Sequence, residues 1–261
     1  MENKQKIAEA LQLARGLGAE YADIRLKDIQ MEYLGIENGT LKDASTDRSW
    51  GYGIRVYVDG SMGFAASNDP DRMNETAKEA YDIALASLTM QSEKIKLSEK
   101  AAAQGHYETP VEKDPFAVPL SEKLDMMKSC EHNIYETWKK HEFSVKTTFY
   151  TRITLESRKD AVVFADTDGS YIDQNFCQVS AGVVAKVITD SDVQHRIYEN
   201  VARGGFECIE EMDLVSRSSD LAREAAILID APDCPSGEFD IVITPRQLFL
   251  QIHESVGIRR S

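Results

Sequence analysis

The sequence predicts an α+β fold made of antiparallel β meanders with packed helices. Apolar residues recur at helical spacing in four separate segments, residues 4–17, 72–89, 121–140 and 213–229. Between these segments, apolar and polar residues alternate as they do in half-buried strands. Dipeptides that favour tight hairpins, and therefore antiparallel neighbours, occur at Asn38-Gly39, Asp59-Gly60 and Asp168-Gly169.

The first part of the chain predicts a helix, a meander and a second helix. The opening helix, 4–17, buries Ile7, Leu11 and Ala14, and Gly16 and Gly18 mark its end. Four strand segments follow, at 21–26, 31–37 and 40–47 and in a hairpin over 50–67. The helix at 72–89 then closes this part of the chain, with small and apolar residues on its inner face.

The second part repeats this order of elements without repeating the residues. Residues 90–120 are polar and proline-containing, which predicts a long surface connection. The pattern after it predicts a helix at 121–140, a strand at 143–155, a hairpin at 162–172 turned at Asp168-Gly169, strands at 179–189 and 194–198, and a helix at 213–229. His132 and His141 flank charged residues and are expected to be solvated, and His195 needs no functional role.

Composition excludes some classes of function. The chain has 261 residues and a net charge of -14, which opposes binding to a polyanion because nucleic-acid affinity depends on phosphate neutralisation. No run of about 18 apolar residues predicts a membrane span, and the charged N-terminal helix pattern favours the cytoplasm. The cysteines form no CxxC pair and are expected to be reduced thiols.

Residues 239–257 carry the strongest candidate for a catalytic site. They predict a short strand at 239–243 and then a helix with Thr244 as N-cap, Pro245 at its first position and Gln247 in a capping box. His253-Glu254 on this helix matches the start of a zinc-hydrolase pattern, in which histidine binds the metal and glutamate takes a proton from water. The alternative is a half-buried helix histidine bonded to a backbone carbonyl.

Residues 231–245, followed by His253-Glu-Ser-Val-Gly257, resemble the TldD/PmbA family. Gly51-Tyr-Gly-Ile-Arg-Val with Gly63-Phe-Ala resembles that family's N-terminal hairpin, and Asp166-Thr-Asp-Gly169 falls at a family turn. The resemblance implies a cytoplasmic zinc metallopeptidase that acts on unfolded or extended peptides with a homologous, metal-free partner subunit. Older family labels call these proteins modulators of DNA gyrase, and the acidic charge implies that any such effect is indirect.

Carried over to this chain, the resemblance makes His253 the first zinc ligand and Glu254 the general base. The family's second histidine would follow Gly257 directly, where this chain has Ile258, and its third ligand is a cysteine further downstream. Two histidines five residues apart do not share a face of an α-helix, so this motif requires a widened, π-like turn that Gly257 would make easier. One imidazole alone is expected to hold zinc weakly.

The resemblance divides the chain into an N-terminal domain, 1–257, and a tail, 258–261, that does not match the family. Within the domain, subregions 1–90 and 121–257 are joined by the connection 91–120, and the family's C-terminal domain would be absent. The first hypothesis is therefore a metallopeptidase truncated inside its motif and inactive alone. The alternative is a non-catalytic peptide-binding or partner subunit of a TldD/PmbA-type complex.

Overall fold

The computed structural model describes residues 2–90, 94–98 and 100–258. The chain forms two compact units, Met1–Ile229 and Asp230–Ser261. The long unit begins with α1 (Glu2–Leu17), β1 (Tyr21–Glu37), β2 (Thr40–Val58), β3 (Ser61–Ser67) and α2 (Met73–Ser87). It continues with β4 (Gln104–Glu108), α3 (Leu120–Lys139), β5 (Thr148–Asp166), β6 (Tyr171–Ile188), β7 (Val193–Arg203), α4 (Phe206–Glu211) and α5 (Leu214–Ile229). None of the helices in the described ranges is both long and apolar enough to cross a membrane.

Within the described residues, seven strands form a single sheet in the order β3-β2-β1-β5-β6-β4, and β7 pairs with the rest of the outer edge of β6. All pairs are antiparallel except β4 with β6. The pairing of β1 with β5, from Asp23↔Asp166 to Glu37↔Arg152, joins the two predicted subregions into one sheet. The predicted α+β fold with antiparallel strands and packed helices is confirmed.

The predicted hairpin turns at Asn38-Gly39 and Asp59-Gly60 are confirmed by their backbone conformation. Asn38 and Asp59 have φ of 45° and 47°, and the glycine after each has φ of 75°. Asparagine and aspartate tolerate this left-handed region and glycine has no Cβ to oppose it, which is why these dipeptides end strands so sharply.

Helices cover one face of the sheet. The buried side chains of β1 on this face are spaced by even numbers of residues: Ala22, Ile24, Leu26, Leu34 and Ile36. At one end of the sheet, Ile24 and Leu26 pack with residues of β2 against α1 and α2. At the other end, Leu34 and Ile36 pack with residues of β5 and β6 against α3 and α5. The opposite face therefore has no helix on it in the described part of the long unit.

The strands are longer than the sequence predicted. Segments 21–26 and 31–37 form one strand, β1, and segments 40–47 and 50–58 form one strand, β2. The sequence predicted a break between 21–26 and 31–37 because Asp28 and Gln30 interrupt the apolar alternation of β1. These two side chains lie between the two helix pairs, where a polar cleft replaces the core. Backbone pairing runs through this point without interruption.

Three smaller predictions were also wrong. The connection 90–120 contains β4, a short exposed strand that pairs in parallel with β6, and residues 91–93 and 99 lie outside the described ranges. Residues 143–147 are not a strand, since β5 begins at Thr148. His132 is exposed as predicted, but His141 is half-buried against Phe143, with ring centroids 4.5 Å apart.

The short unit contains α6 (Pro245–Ile252) followed by a π-helical turn at His253–Gly257. The predicted strand at 239–243 is wrong, because no strand partner exists within the described residues of this unit and the segment stays irregular. Thr244 and Pro245 do start the helix, and the amides of Gln247 and Leu248 donate to the Thr244 carbonyl at 3.0 and 2.9 Å. The predicted side-chain cap does not form.

Candidate functional site

The π-helical turn carries the two residues that the sequence singled out. The amide of Ile258 donates a hydrogen bond to the carbonyl of His253, which closes an i→i+5 turn. Residues 253 and 258 are therefore one full turn apart and lie on the same side of the helix. The widened turn predicted from the motif spacing is confirmed, although position 258 holds isoleucine.

Gly257 lies beside the His253 ring. A Cβ built at Gly257 would lie 3.6 Å from His253 Nδ1, which is ordinary van der Waals contact. His253 and Glu254 are both exposed, so the alternative of a half-buried helix histidine is not what this unit shows. The turn thus presents an imidazole and a carboxylate, side by side, to whatever binds there.

The described residues do not complete a zinc site. Across 2–90, 94–98 and 100–258, no group of three or more His, Cys, Asp or Glu side chains could hold a metal ion. His253 therefore fits one position of a metal site without the other ligands around it. Burial raises the pKa of the Cys130 thiol to about 12, which disfavours the thiolate form in the long unit.

A second polar feature, a cleft of about 420 Å³, lies in the long unit between the two helix pairs. Arg48 binds Asp28 through two hydrogen bonds of 3.0 and 2.7 Å, and Lys159 contacts Asp114 at 2.7 Å. The Oγ1 of Thr109, which also lines the cleft, is buried without a hydrogen-bond partner in the described structure. The cleft was not predicted from the sequence, where its only signal is the break in the apolar alternation of β1.

The turn Asp166-Thr-Asp-Gly169 has a structural role. The buried Asp166 carboxylate accepts hydrogen bonds from the amides of Asp168 and Ser170, at 3.0 and 2.8 Å, and from Lys100 Nζ at 2.6 Å. It therefore holds the β5–β6 turn and fastens the connection after α2 to the sheet.

The class of protein follows from comparison of these elements with known families. The family model described as PmbA/TldA metallopeptidase domain 1 matches residues 22–84, from β1 into α2. The model of the PmbA/TldA metallopeptidase central domain matches residues 113–229, which include α3 and α5. Together the two matches cover well over half of the chain. The chain belongs to the PmbA/TldD family, and His253 and Glu254 lie outside both matched ranges.

Individual relatives agree with this assignment. A protein named metalloprotease from Methanothermobacter thermautotrophicus is 27% identical over 238 residues, which are 91% of this chain and 50% of that protein. A Thermotoga maritima structure named as a modulator of a DNA gyrase gives a TM-score of 0.68 at 19% identity, over 90% of this chain and 50% of the other. The structure of TldE from Thermococcus kodakarensis gives a TM-score of 0.53 at 14% identity, over 86% of this chain and 47% of the other. The structural likenesses show the fold, and this chain spans about half the length of these relatives.

Proposed function

We propose that this chain contributes to a zinc-dependent metallopeptidase that acts on unfolded or extended peptides. Family membership and relatives named metalloproteases support the class of activity. The observation that carries the proposal to particular residues is the π-helical turn at His253–Gly257. A regular α-helix would not need this distortion, and it is the geometry that a His-Glu-x-x-x-His motif requires.

In this proposal His253 donates one imidazole nitrogen to zinc, and Glu254 acts as the general base. Zinc, when bound, supplies a Lewis acid that lowers the pKa of water. Glu254 follows His253 directly in the turn and is exposed, so its carboxylate is free to accept and hold a proton. Because the described residues give one ligand rather than a set, we propose that the 261-residue chain binds zinc weakly and is inactive alone.

The proposal predicts the effect of adding a second imidazole at position 258. Ile258→His places a histidine one turn from His253, so both rings can bind one ion, and the affinity for Zn²⁺ should rise by roughly tenfold or more. Isothermal titration of Zn²⁺ into each protein measures this directly. Ser255→His is the matched control, because residues two apart do not face each other on a helix.

Two results would contradict the assignment. Equal Zn²⁺ affinities for Ile258→His and Ser255→His would show that the turn does not bring positions 253 and 258 to a common ion. Stoichiometric zinc together with peptidase activity in the unmodified chain, lost in Glu254→Gln, would refute the proposed inactivity while supporting the role of Glu254.

The second candidate is a non-catalytic peptide-binding or partner subunit that acts with a homologous family member. It is favoured by the sheet face without helices and by the outer edge of β2 over 40–51, which pairs with no strand in the described residues. An extended peptide can add to such an edge. Zinc-independent copurification with a longer family member would favour this function, and a chain that binds neither partner nor peptide would exclude it.

A further inference from the structure

A groove of about 460 Å³ runs along the sheet face that carries no helix, at the end formed by β1, β2 and β3. We call it the glycine groove and define it by Arg25, Lys27, Gly51, Gly53, Phe64 and Ala66. Arg25 lies opposite Gly53, and Lys27 lies opposite Gly51, in the β1–β2 pairing. Each long cationic side chain therefore stands beside a position where the neighbouring strand has no side chain.

Three glycines in the strands of this hairpin have different surroundings. Gly63 faces α2, since a Cβ there would lie 1.9 Å from the Ala80 carbonyl oxygen. Gly53 lies under the Phe64 ring, where a Cβ would lie 2.7 Å from Cε2. At Gly51 the nearest atom to a built Cβ is the Ser67 carbonyl oxygen, 3.5 Å away. Packing therefore explains Gly63 and Gly53, whereas Gly51 leaves accessible space beside Lys27.

The exposed charges of the glycine groove are cationic in a protein with a net charge of -14. The acid in its lining, Asp23, is 1% exposed and already accepts three hydrogen bonds from Arg55. Arg25 is 61% exposed and touches Asp23 only at 3.9 Å, and Lys27 has no ion pair within the described residues. The two cations are therefore available to an acidic ligand.

An apolar wall adjoins these cations. Phe64 is 52% exposed at the rim, and the Arg25 guanidinium lies over the Phe164 ring, 5.6 Å from its centroid. Stacking leaves the edge of the guanidinium free for a carboxylate, which arginine binds in a planar, bidentate manner. The groove thus combines two carboxylate-binding groups with an aromatic surface.

We propose that the glycine groove binds an acidic segment of an extended peptide, with carboxylates on Arg25 and Lys27 and an apolar side chain on Phe64. This inference rests on the proposed function, because the peptide would be a substrate of that activity. A peptide fits better than a nucleic acid, since two exposed cations neutralise few phosphates and the net charge repels a polyanion.

The experiment measures binding without catalysis. A fluorescein-labelled peptide with alternating glutamate and leucine, and a matched peptide with glutamine in place of glutamate, are titrated with the full chain in the presence of a chelator. The acidic peptide should bind about fivefold more tightly by fluorescence anisotropy, and added salt should reduce the difference. Arg25→Gln with Lys27→Gln should abolish it.

Two further variants separate the groove from general effects. Gly51→Val should block binding of both peptides, because the strand accepts a Cβ there and the added methyl groups occupy the groove. Lys128→Gln removes an exposed lysine of α3, away from the groove, and should change nothing. Circular dichroism of each variant checks that the fold is retained.

Equal affinities for the two peptides, or no effect of the Arg25 and Lys27 substitutions, would overturn the inference. Single-stranded DNA that competes as well as the acidic peptide would overturn the choice of a peptide. Because the chelator removes zinc, these results are independent of peptidase activity. Charge-dependent peptide binding together with equal Zn²⁺ affinities for Ile258→His and Ser255→His would leave the groove intact and count against the proposed metal site. The converse pair of results would count only against the groove.

Discussion

At the scale of single residues, Gly63 shows how a missing side chain fixes the packing of an element. The strand β3 approaches α2 so closely that the Ala80 carbonyl oxygen and the Ala84 amide nitrogen would lie 1.9 and 2.5 Å from a Cβ at this position. Both are backbone atoms of a buried helix turn, so they cannot move aside as a flexible side chain could.

Gly63→Ala should therefore destabilise the long unit by about 1–3 kcal/mol, the usual cost of forcing extra atoms into a packed interface. Gly51→Ala is the matched control, because its Cβ would meet no atom closer than 3.5 Å, and it should be nearly neutral. Urea denaturation followed by circular dichroism measures both. Equal midpoints for the two variants would show that α2 is free to shift away from β3.

The sequence could not separate these glycines. Gly51, Gly53 and Gly63 all occupy strand positions in a glycine-rich hairpin, and the pattern indicates only that packing or a bulge is needed somewhere. What distinguishes them is the position of α2 and of the Phe64 ring, which depends on contacts distant in sequence. In contrast, the turns at Asn38-Gly39 and Asp59-Gly60 were predictable because positive φ is a local requirement.

At the scale of elements, Asp166 holds the β5–β6 turn and the connection that precedes β4. Burial alone would raise the pKa of Asp166, but the ion pair with Lys100 and the hydrogen bonds from Ser170 outweigh it and lower the pKa below its ordinary value. A depressed pKa in the folded state means that the ionised carboxylate stabilises the fold. That stabilisation is fully present above the unfolded pKa of about 3.9 and is lost as the pH falls through the folded pKa.

Asp166→Asn keeps the shape of the side chain but loses the attraction to Lys100. We expect it to lower the free energy of unfolding by about 1 kcal/mol at neutral pH, discounted because Lys100 is 42% exposed. The difference from the unmodified chain should persist down to about pH 5 and shrink at more acidic pH. Urea denaturation at a series of pH values measures this dependence.

Asp168→Asn is the matched control for this pH series. It removes the same charge from the same turn at an exposed residue, and it should leave the free energy of unfolding nearly unchanged at every pH. A difference for Asp166→Asn that grows as the pH falls would contradict the sign of the pKa shift.

The elements that sequence reasoning missed share a physical cause. The continuity of β1 through Asp28 and Gln30 depends on a polar cleft between helix pairs, which no local pattern records. Strand β4 is polar and exposed, and it exists because the edge of β6 is available to pair with it. At 239–243 the sequence instead predicted a strand that does not form. The apolar run there has no strand partner in the described residues.

The candidate site shows the same limit. His253 and Glu254 were proposed from a local motif and their roles stay a prediction, whereas the π-helical turn was predicted because motif spacing fixes helix geometry. The glycine groove was not predicted, because Arg25 and Phe64 come together only through the pairing of β1 with β2 and of β2 with β3.

At the scale of the whole molecule, one sheet unites the regions matched by the two family models. The first match contains β1 to β3, and the second contains β5 to β7. Because β1 and β5 pair over 15 residues each, from Asp23 to Glu37 and from Arg152 to Asp166, neither region can complete its sheet without the other. We therefore expect the long unit to unfold cooperatively rather than in halves.

The short unit differs, because its apolar residues are not buried. Phe239, Ile241 and Val242 are 60%, 80% and 94% exposed, and Phe249 is 67% exposed. Apolar surface of this extent is characteristic of interaction sites.

The purified chain should therefore self-associate at concentrations of tens of micromolar, and light scattering should give a mass above the 29.2 kDa of one chain. Val242→Ser with Phe249→Ser should restore the monomer mass. Val193→Ser, at a residue that is 51% exposed on β7, should not. A sharp monomer peak for the unmodified chain would contradict this expectation.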